Sequence, residues 1–282
     1  MRKYLSLIKF SHTIFAMPFA LIGFFLATKS CEFEWMTIIY VVLCMVFARS
    51  AAMAFNRYID RDIDSTNPRT AEIREIPNGS IKANSALIFV IINSLLFIAI
   101  TYFINSLCFA LSPIALITIL GYSYTKRFTA LCHLVLGLGL SLAPIGAYLA
   151  VSGEFNIIPL LFSAAVLFWV SGFDIIYSLQ DEEFDKAQEL HSIPVLIGKK
   201  NALILSTLLH FLTFSALNIA GSFGEFGLYY WIGFWIFSAL LVYQHTLVKH
   251  NDLSKVNLAF FTTNGIASII FGTFVITDIL LK

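Results

Sequence analysis

The chain has 282 residues, of which 59% are apolar, 15% aromatic and only 12% charged, and its mean hydropathy is +0.83. Soluble domains carry about 25% charged residues, so one water-soluble core cannot hide this much apolar surface, and a disordered chain would be polar and charge-rich. The formal net charge of +1 leaves no basic excess of the kind that nucleic-acid binding uses.

A bilayer core about 30 Å thick takes roughly 20 apolar residues per helix. Runs of that kind predict helices near 12–29, 36–56, 85–104, 107–124, 131–151, 158–177, 202–220, 228–248 and 258–279. The expected fold is all-α: a polytopic membrane protein, a bundle of nine transmembrane helices forming one integral-membrane domain over 1–282, with cytoplasmic polar loops. The apolar stretch 85–124 is twice a span and divides at Asn105-Ser106. The first run follows Arg2, Lys3 and Lys9, as a signal peptide would. Its apolar stretch is long and has no clear A-x-A cleavage site, so it reads as a retained helix. Cys31, Cys44, Cys108 and Cys132 stand far apart with no CxxC pair, and read as packing residues rather than a disulfide or zinc framework.

The basic residues sort by side. Apart from Lys29, Lys282 and Arg49, every Lys and Arg falls in the N-terminal segment or in the loops after the second, fourth, sixth and eighth spans. The positive-inside rule puts those loops in the cytoplasm and the C-terminus outside. The two long polar segments, 56–84 and 178–201, share that side.

Both segments begin with spaced carboxylates. Asn56, Asp60 and Asp64 stand at i, i+4 and i+8, so a continuing helix would place them on one face. Arg49, seven residues earlier, shares that face. Asp174, Asp181 and Asp185 would likewise fall within an arc of about 40° on one helix, with Tyr177 at its border. Oxygen donors without His or Cys suit Mg²⁺ or Mn²⁺ rather than zinc. Mg²⁺ is held by one or two carboxylates and completes its shell with phosphate oxygens and water, so two aspartate pairs could clamp a metal-bridged diphosphate. Lone carboxylates at helix ends are commonly solvated caps, the reading given to Asp62, Glu72, Glu75, Glu182, Glu183 and Glu189. The repeated four-residue spacing sets Asp60, Asp64, Asp181 and Asp185 apart. Asp174 and Arg49 lie inside apolar spans, where insertion scales assign roughly 2.5–3.5 kcal/mol to a central charge and where charges usually face a polar cavity. A structural ion pair is the other reading for these two. Lys126 and Arg127 follow the fourth span, with Tyr122 one turn earlier on the Lys126 face. Arg69 and Arg74 lie in the first polar segment, and all four cations suit phosphate.

These residues resemble the UbiA superfamily of intramembrane aromatic prenyltransferases. Its N-x-x-x-D-x-x-x-D motif reads here as Asn56/Asp60/Asp64, and its D-x-x-[YF]-x-x-x-D-x-x-x-D motif as Asp174/Tyr177/Asp181/Asp185. Its Y-x-x-x-K appears as Tyr122 and Lys126, and its arginine before the first motif as Arg49. Two departures stand out. Arg74-Glu75-Ile76-Pro77-Asn78-Gly79 has Glu where a Pro is common, and His191-Ser192-Ile193-Pro194 replaces the usual Lys-Ser turn. The latter form resembles a branch labelled 4-hydroxybenzoate polyprenyltransferase, part of which serves the futalosine route to menaquinone; His191 itself is given no catalytic role.

The resemblance implies Mg²⁺-dependent transfer of a polyprenyl group from polyprenyl diphosphate to a small aromatic acid, in ubiquinone or menaquinone biosynthesis. It implies Asp60, Asp64, Asp181 and Asp185 as catalytic metal ligands. Asn56, Arg49, Arg69, Arg74, Tyr122, Lys126, Arg127, Asp174 and Tyr177 are implied as substrate-binding groups, with Arg49 toward the acceptor carboxylate. The setting implied is the bacterial inner membrane, among lipid, with the N-terminus and active site at the cytoplasmic face and no nucleic acid involved. A transporter is the competing reading, since intramembrane charges also mark ion pathways, but transporter sites tend toward the midplane. A CDP-alcohol phosphotransferase would carry D-G-x-x-A-R, which is absent.

Overall fold

The computed structural model describes residues 2–8 and 15–282; the first residues of the expected span 12–29, and Lys9, lie outside them. A short helix α1 (Arg2–Leu7) precedes α2 (Met17–Ala27), α3 (Trp35–Ile59), α4 (Arg61–Thr66), α5 (Ala83–Ile104), α6 (Ser106–Thr125), α7 (Cys132–Ser152), α8 (Ile157–Ser178), α9 (Glu182–Ala187), α10 (Ile193–Phe223), α11 (Leu228–Leu247) and α12 (Asn264–Leu281). Each expected span coincides with a helix among the described residues. Seven segments are long and apolar enough to cross a membrane: those of α3, α5, α6, α7, α8 with its continuation, α10, and Leu258–Leu281. The eleven residues of α2 are fewer than a full span. The Tyr, Trp, Gln and His side chains of α11 lower its hydropathy. The fold is therefore all-α and polytopic.

Local chemistry sets the boundaries. Asn105 separates α5 from α6 by accepting the Cys108 amide on its side chain, a helix N-cap. The backbone of α10 leaves helical geometry at Gly198, with φ 76° and ψ 159°. That conformation is strained for residues with a Cβ, and it separates the polar start of α10 from the apolar span beyond it.

Helix α8 packs between α7 and α10; α2 lies against α7 and α12; α3 pairs with α5 and α6; α11 pairs with α12. A Cβ at Gly137 would stand 2.3 Å from Ser171 Oγ and 2.4 Å from Leu167 O, so only glycine lets α7 and α8 approach this closely. Phe19, Phe162, Trp169, Tyr230, Phe237 and Phe271 fill the core. The Trp169 indole N–H, buried among them, donates to Asn264 Oδ1 at 3.0 Å. The outer surface is apolar in the opposite sense to a soluble protein: Ile88, Leu95, Tyr102, Phe103, Ile117, Phe211 and Trp235 are exposed. Lipid contact accounts for such a surface.

Candidate active site

The first motif sits where α3 ends. Asp60, with φ −88° and ψ 4°, is the junction between α3 and α4. Helical hydrogen bonding nevertheless runs through it: the Asp60 amide donates to Asn56 O at 2.9 Å, and the Asp64 amide to Asp60 O at 2.7 Å. Asn56 Nδ2 donates to Asp60 Oδ2 at 3.0 Å. Asp60 and Asp64 are 1% and 3% exposed, and buried charges persist only when paired. Their partners are the basic residues singled out above. Lys126 Nζ lies 2.7 Å from Asp60 Oδ2, and Arg127 lies 3.1 Å from Oδ1. Arg127 also donates to Ser123 O and Ile59 O, which fixes its fork between α6 and α3. Arg74 is ion-paired with Asp64. Burial pushes the Asp64 carboxyl above the usual carboxylate range, and Arg74 pulls against that rise.

The second motif departs from the expected single helical face. Helix α8 ends at Ser178, Leu179–Asp181 form a 3₁₀ turn, and α9 begins at Glu182. A 3₁₀ turn advances about 120° per residue instead of about 100°, so Asp174 and Asp181 lose the shared arc. Asp181 faces the first polar segment. Arg69 Nε is 3.1 Å from Asp181 Oδ1 while a terminal nitrogen pairs with Oδ2, and Asn67 Nδ2 reaches Oδ1 at 3.4 Å. Arg69 also donates to the Tyr177 hydroxyl at 3.2 Å and lies over its ring. Burial works against the Arg69 charge, but Asp181 and Tyr177 hold the guanidinium above its ordinary value. The other face of Tyr177 stacks on Phe260, 4.2 Å between centroids, in the π-helical turn Leu258–Thr263. Asp185, on α9, has Asp181, Lys126 and Ser192 as polar neighbours. Asp174 takes a separate partner, His133 Nδ1 at 2.7 Å.

The two motifs are thus joined by cations. Arg69 carries the first polar segment to Asp181, and Lys126 stands between Asp60 and Asp185. The backbone adds a tie, since the His191 amide donates to Lys126 O at 2.7 Å.

Beside this cluster an apolar cavity of about 410 Å³ opens between α3, α5, α6 and α7. Arg49 and Tyr122 line it among residues such as Met45, Cys108, Ala115 and Gly146. From Tyr122 to Cys108 along α6 is about 21 Å at the helical rise. Arg49 Nε is buried and has no hydrogen-bond partner among the described residues.

The model of the UbiA prenyltransferase family matches residues 16–266. The chain belongs to this family. It is 32% identical over 243 residues to the 4-hydroxybenzoate octaprenyltransferase of Aliivibrio fischeri (strain MJ11), covering 84% of this chain and 82% of that one. It is 30% identical over 242 residues to the enzyme of the same description from Aeromonas hydrophila, covering 86% and 83%. Among solved structures, a UbiA homologue from Aeropyrum pernix K1 superposes with TM-score 0.86 at 31% identity, covering 95% of this chain and 98% of that one. A homologue from Archaeoglobus fulgidus, bound to GPP and Mg²⁺, shares the fold with TM-score 0.76 at 22% identity, covering 99% of each chain. The chain is therefore a membrane prenyltransferase of the UbiA type rather than a transporter.

The carboxylates fit the Mg²⁺ that UbiA folds are known to hold. Every donor is a hard oxygen, and the buried Asp60 Oδ1 and Asp64 Oδ2 accept no hydrogen bond and meet only ionic partners. Among the described residues no three His, Cys, Asp or Glu side chains form a cage of their own. That suits an ion taking one or two carboxylates and completing its shell on phosphate.

Sequence reasoning passed over several residues of this UbiA site. His133 stands in an apolar run, where its polarity was the available signal. Arg57 is buried beside Arg74, Asp64 and Glu75. Glu75, read as solvated, is 5% exposed and accepts the Ser6 hydroxyl at 2.5 Å, so the departure from the family proline anchors α1 to the first polar segment. Glu182, also read as solvated, lies 3.5 Å from Lys199.

Proposed function

We propose that the chain, working as one integral-membrane domain over 1–282, transfers a polyprenyl group from a polyprenyl diphosphate to a hydroxybenzoate-like aromatic acid in quinone biosynthesis. The observation that carries this reading is the cavity. It is apolar along its length, and it holds one cation, Arg49, whose Nε lacks a partner, close to the paired acids and bases. A prenyl chain suits the apolar walls, and an aromatic carboxylate suits a two-pronged contact with Arg49. The relatives described as 4-hydroxybenzoate octaprenyltransferases support the acceptor class, and the homologue bound to GPP and Mg²⁺ supports the donor and the metal.

Asp60, Asp64, Asp181 and Asp185 would hold Mg²⁺, which supplies neutralising charge to the diphosphate. Lys126, Arg127, Arg69 and Arg74 bind the phosphate oxygens, with Asn56 supporting Asp60. Their pull strengthens as the allylic C–O bond breaks and its electron pair moves to the diphosphate, so they favour the transition state over the bound substrate. The rings of Tyr177 and Tyr122 shield the allylic cation through their π faces. The electron-rich acceptor ring attacks that carbon, and a ring proton leaves to restore aromaticity. Closure of the polar segments over the cluster keeps out water that would quench the cation.

In this reading nine helices span the bacterial inner membrane, with the N-terminus and the acid–base cluster at the cytoplasmic face. The test offers purified protein a panel of hydroxylated aromatic acids and prenyl diphosphates with Mg²⁺ and identifies products by mass. A prenylated aromatic acid that disappears in EDTA is expected. Absence of product across the panel overturns the reading, and Arg49→Ala with unchanged acceptor KM and kcat overturns the role of Arg49.

A further inference from the structure

His133 is the second residue of α7, is 3% exposed, and meets two other helices with its ring. Nδ1 is 2.7 Å from Asp174 Oδ2 on α8, and the Ile193 amide at the start of α10 is 3.3 Å from Nε2. A backbone amide can only donate, so Nε2 accepts and the ring proton sits on Nδ1, donated to the carboxylate. The His133 carbonyl also accepts the Ser171 hydroxyl at 3.1 Å, which fixes the ring's own backbone to α8. Two residues before Ile193, the His191 amide holds the carbonyl of Lys126, the residue paired with Asp60. Asp174 and Asp60 both lie within electrostatic reach of Tyr122, which lines the cavity with Arg49. Asp174 Oδ1 makes no hydrogen bond among the described residues, so His133 supplies the one hydrogen bond that orients this carboxylate.

We propose that His133 is a positioning residue for the acceptor end of the site. It fixes the Asp174 carboxylate beside Tyr122 and ties it to the start of α10, and through the 191–193 segment to Lys126. The inference rests on the transferase reading above. Alanine removes both contacts, leaving Asp174 without its donor and the Ile193 amide without its acceptor. Glutamine restores both, since its amide donates from nitrogen and accepts at oxygen.

Two measurements test this on the full-length protein in detergent. The first follows amide hydrogen exchange across 193–198 and needs no substrate. Exchange is expected to speed by about tenfold or more in His133→Ala and to return toward the parent in His133→Gln. The second measures steady-state kinetics with 4-hydroxybenzoate and geranylgeranyl diphosphate. His133→Ala is expected to raise acceptor KM or lower kcat by about tenfold or more, with little change in diphosphate KM, and His133→Gln to recover to within about threefold. Parental exchange in His133→Ala, or equal defects in the Ala and Gln variants, would overturn the proposal. An inert parent protein would instead count against the transferase reading, and the exchange measurement would still decide the role of His133.

Discussion

Arg69 and Asp181 stand 112 positions apart in the chain and meet side to side, Nε 3.1 Å from one carboxylate oxygen and a terminal nitrogen on the other. This contact makes one site of the two polar segments. A hydrogen bond to a charged group contributes about 1.5–3 kcal/mol. Both side chains are partly open to solvent, at 33% and 20% exposure, which places the effect at the low end. Arg69→Ala is expected to lower kcat/KM for the prenyl diphosphate by about tenfold. Lysine, a point charge without the two-pronged fork, should recover only part of the loss. Steady-state kinetics with the donor varied will check both, and parental kcat/KM in Arg69→Ala would rule out the bridging role.

Asp64 and Arg74 give the site a pH dependence with a definite sign. Burial raises the Asp64 carboxyl above its ordinary range, and Arg74 opposes the rise. Protons compete with Mg²⁺ for this group, so metal binding weakens as pH falls through the raised value. An ordinary aspartate would lose its metal only near pH 4. Arg74→Gln removes the opposing charge, so the acid limb of Mg²⁺ binding should move to still higher pH. Titration of Mg²⁺ binding against pH in the two proteins will show it. A limb that stays put, or moves to lower pH, contradicts the Asp64–Arg74 coupling.

The sequence carried the spans and the chemistry, because both are local. Twenty-residue apolar runs follow from bilayer thickness, and the four-residue spacing of Asp60 and Asp64 survives the junction at Asp60 because the hydrogen bonds continue through it. The partnership of Arg69 with Asp181 is set by how α3 and α8 pack, and no spacing encodes that. The 3₁₀ turn at Leu179–Asp181 was hidden for a related reason: Leu179 is pinned in the core, fully buried, and tertiary packing overrides the helical period there. Glu75 and His133 escaped notice because burial cannot be read from a single polar letter. The structure buries both and gives each a partner.

Asp278 is an intramembrane acid with a structural task. It is 2% exposed on α12, and its two oxygens accept the amides of Gly227 at 2.7 Å and Tyr230 at 3.3 Å. Gly227 is the N-cap of α11 and has no side chain with which to cap it, so Asp278 caps the helix from a neighbouring element. Loss of a cap costs about 0.5–2 kcal/mol. Asp278→Ala should lower the Tm in detergent, and Asp278→Asn, which keeps an accepting oxygen, should lower it less. Turnover well below the Tm should stay near that of the parent protein, since the contact lies away from the acid–base cluster. An unchanged Tm in the alanine variant would exclude the capping role.

Gly146 offers a test of where the prenyl chain lies. It lines the cavity, and a Cβ built on it meets nothing within 4 Å. Fourteen residues separate it from Cys132, the first residue of α7, which places it about 21 Å along the helix. A side chain there would fill the deep part of the cavity without touching the polar head. Gly146→Leu should therefore discriminate by donor length. A long chain forced against the new side chain meets overpacking of about 1–3 kcal/mol, a fall of about ten- to a hundredfold in kcat/KM. Geranyl diphosphate, too short to reach that depth, should react at nearly the parental rate. Product yields from a ladder of prenyl diphosphates will separate the cases. Equal losses at every length would mean that the variant is damaged generally, and no loss at any length would move the prenyl chain to a different path through the bundle.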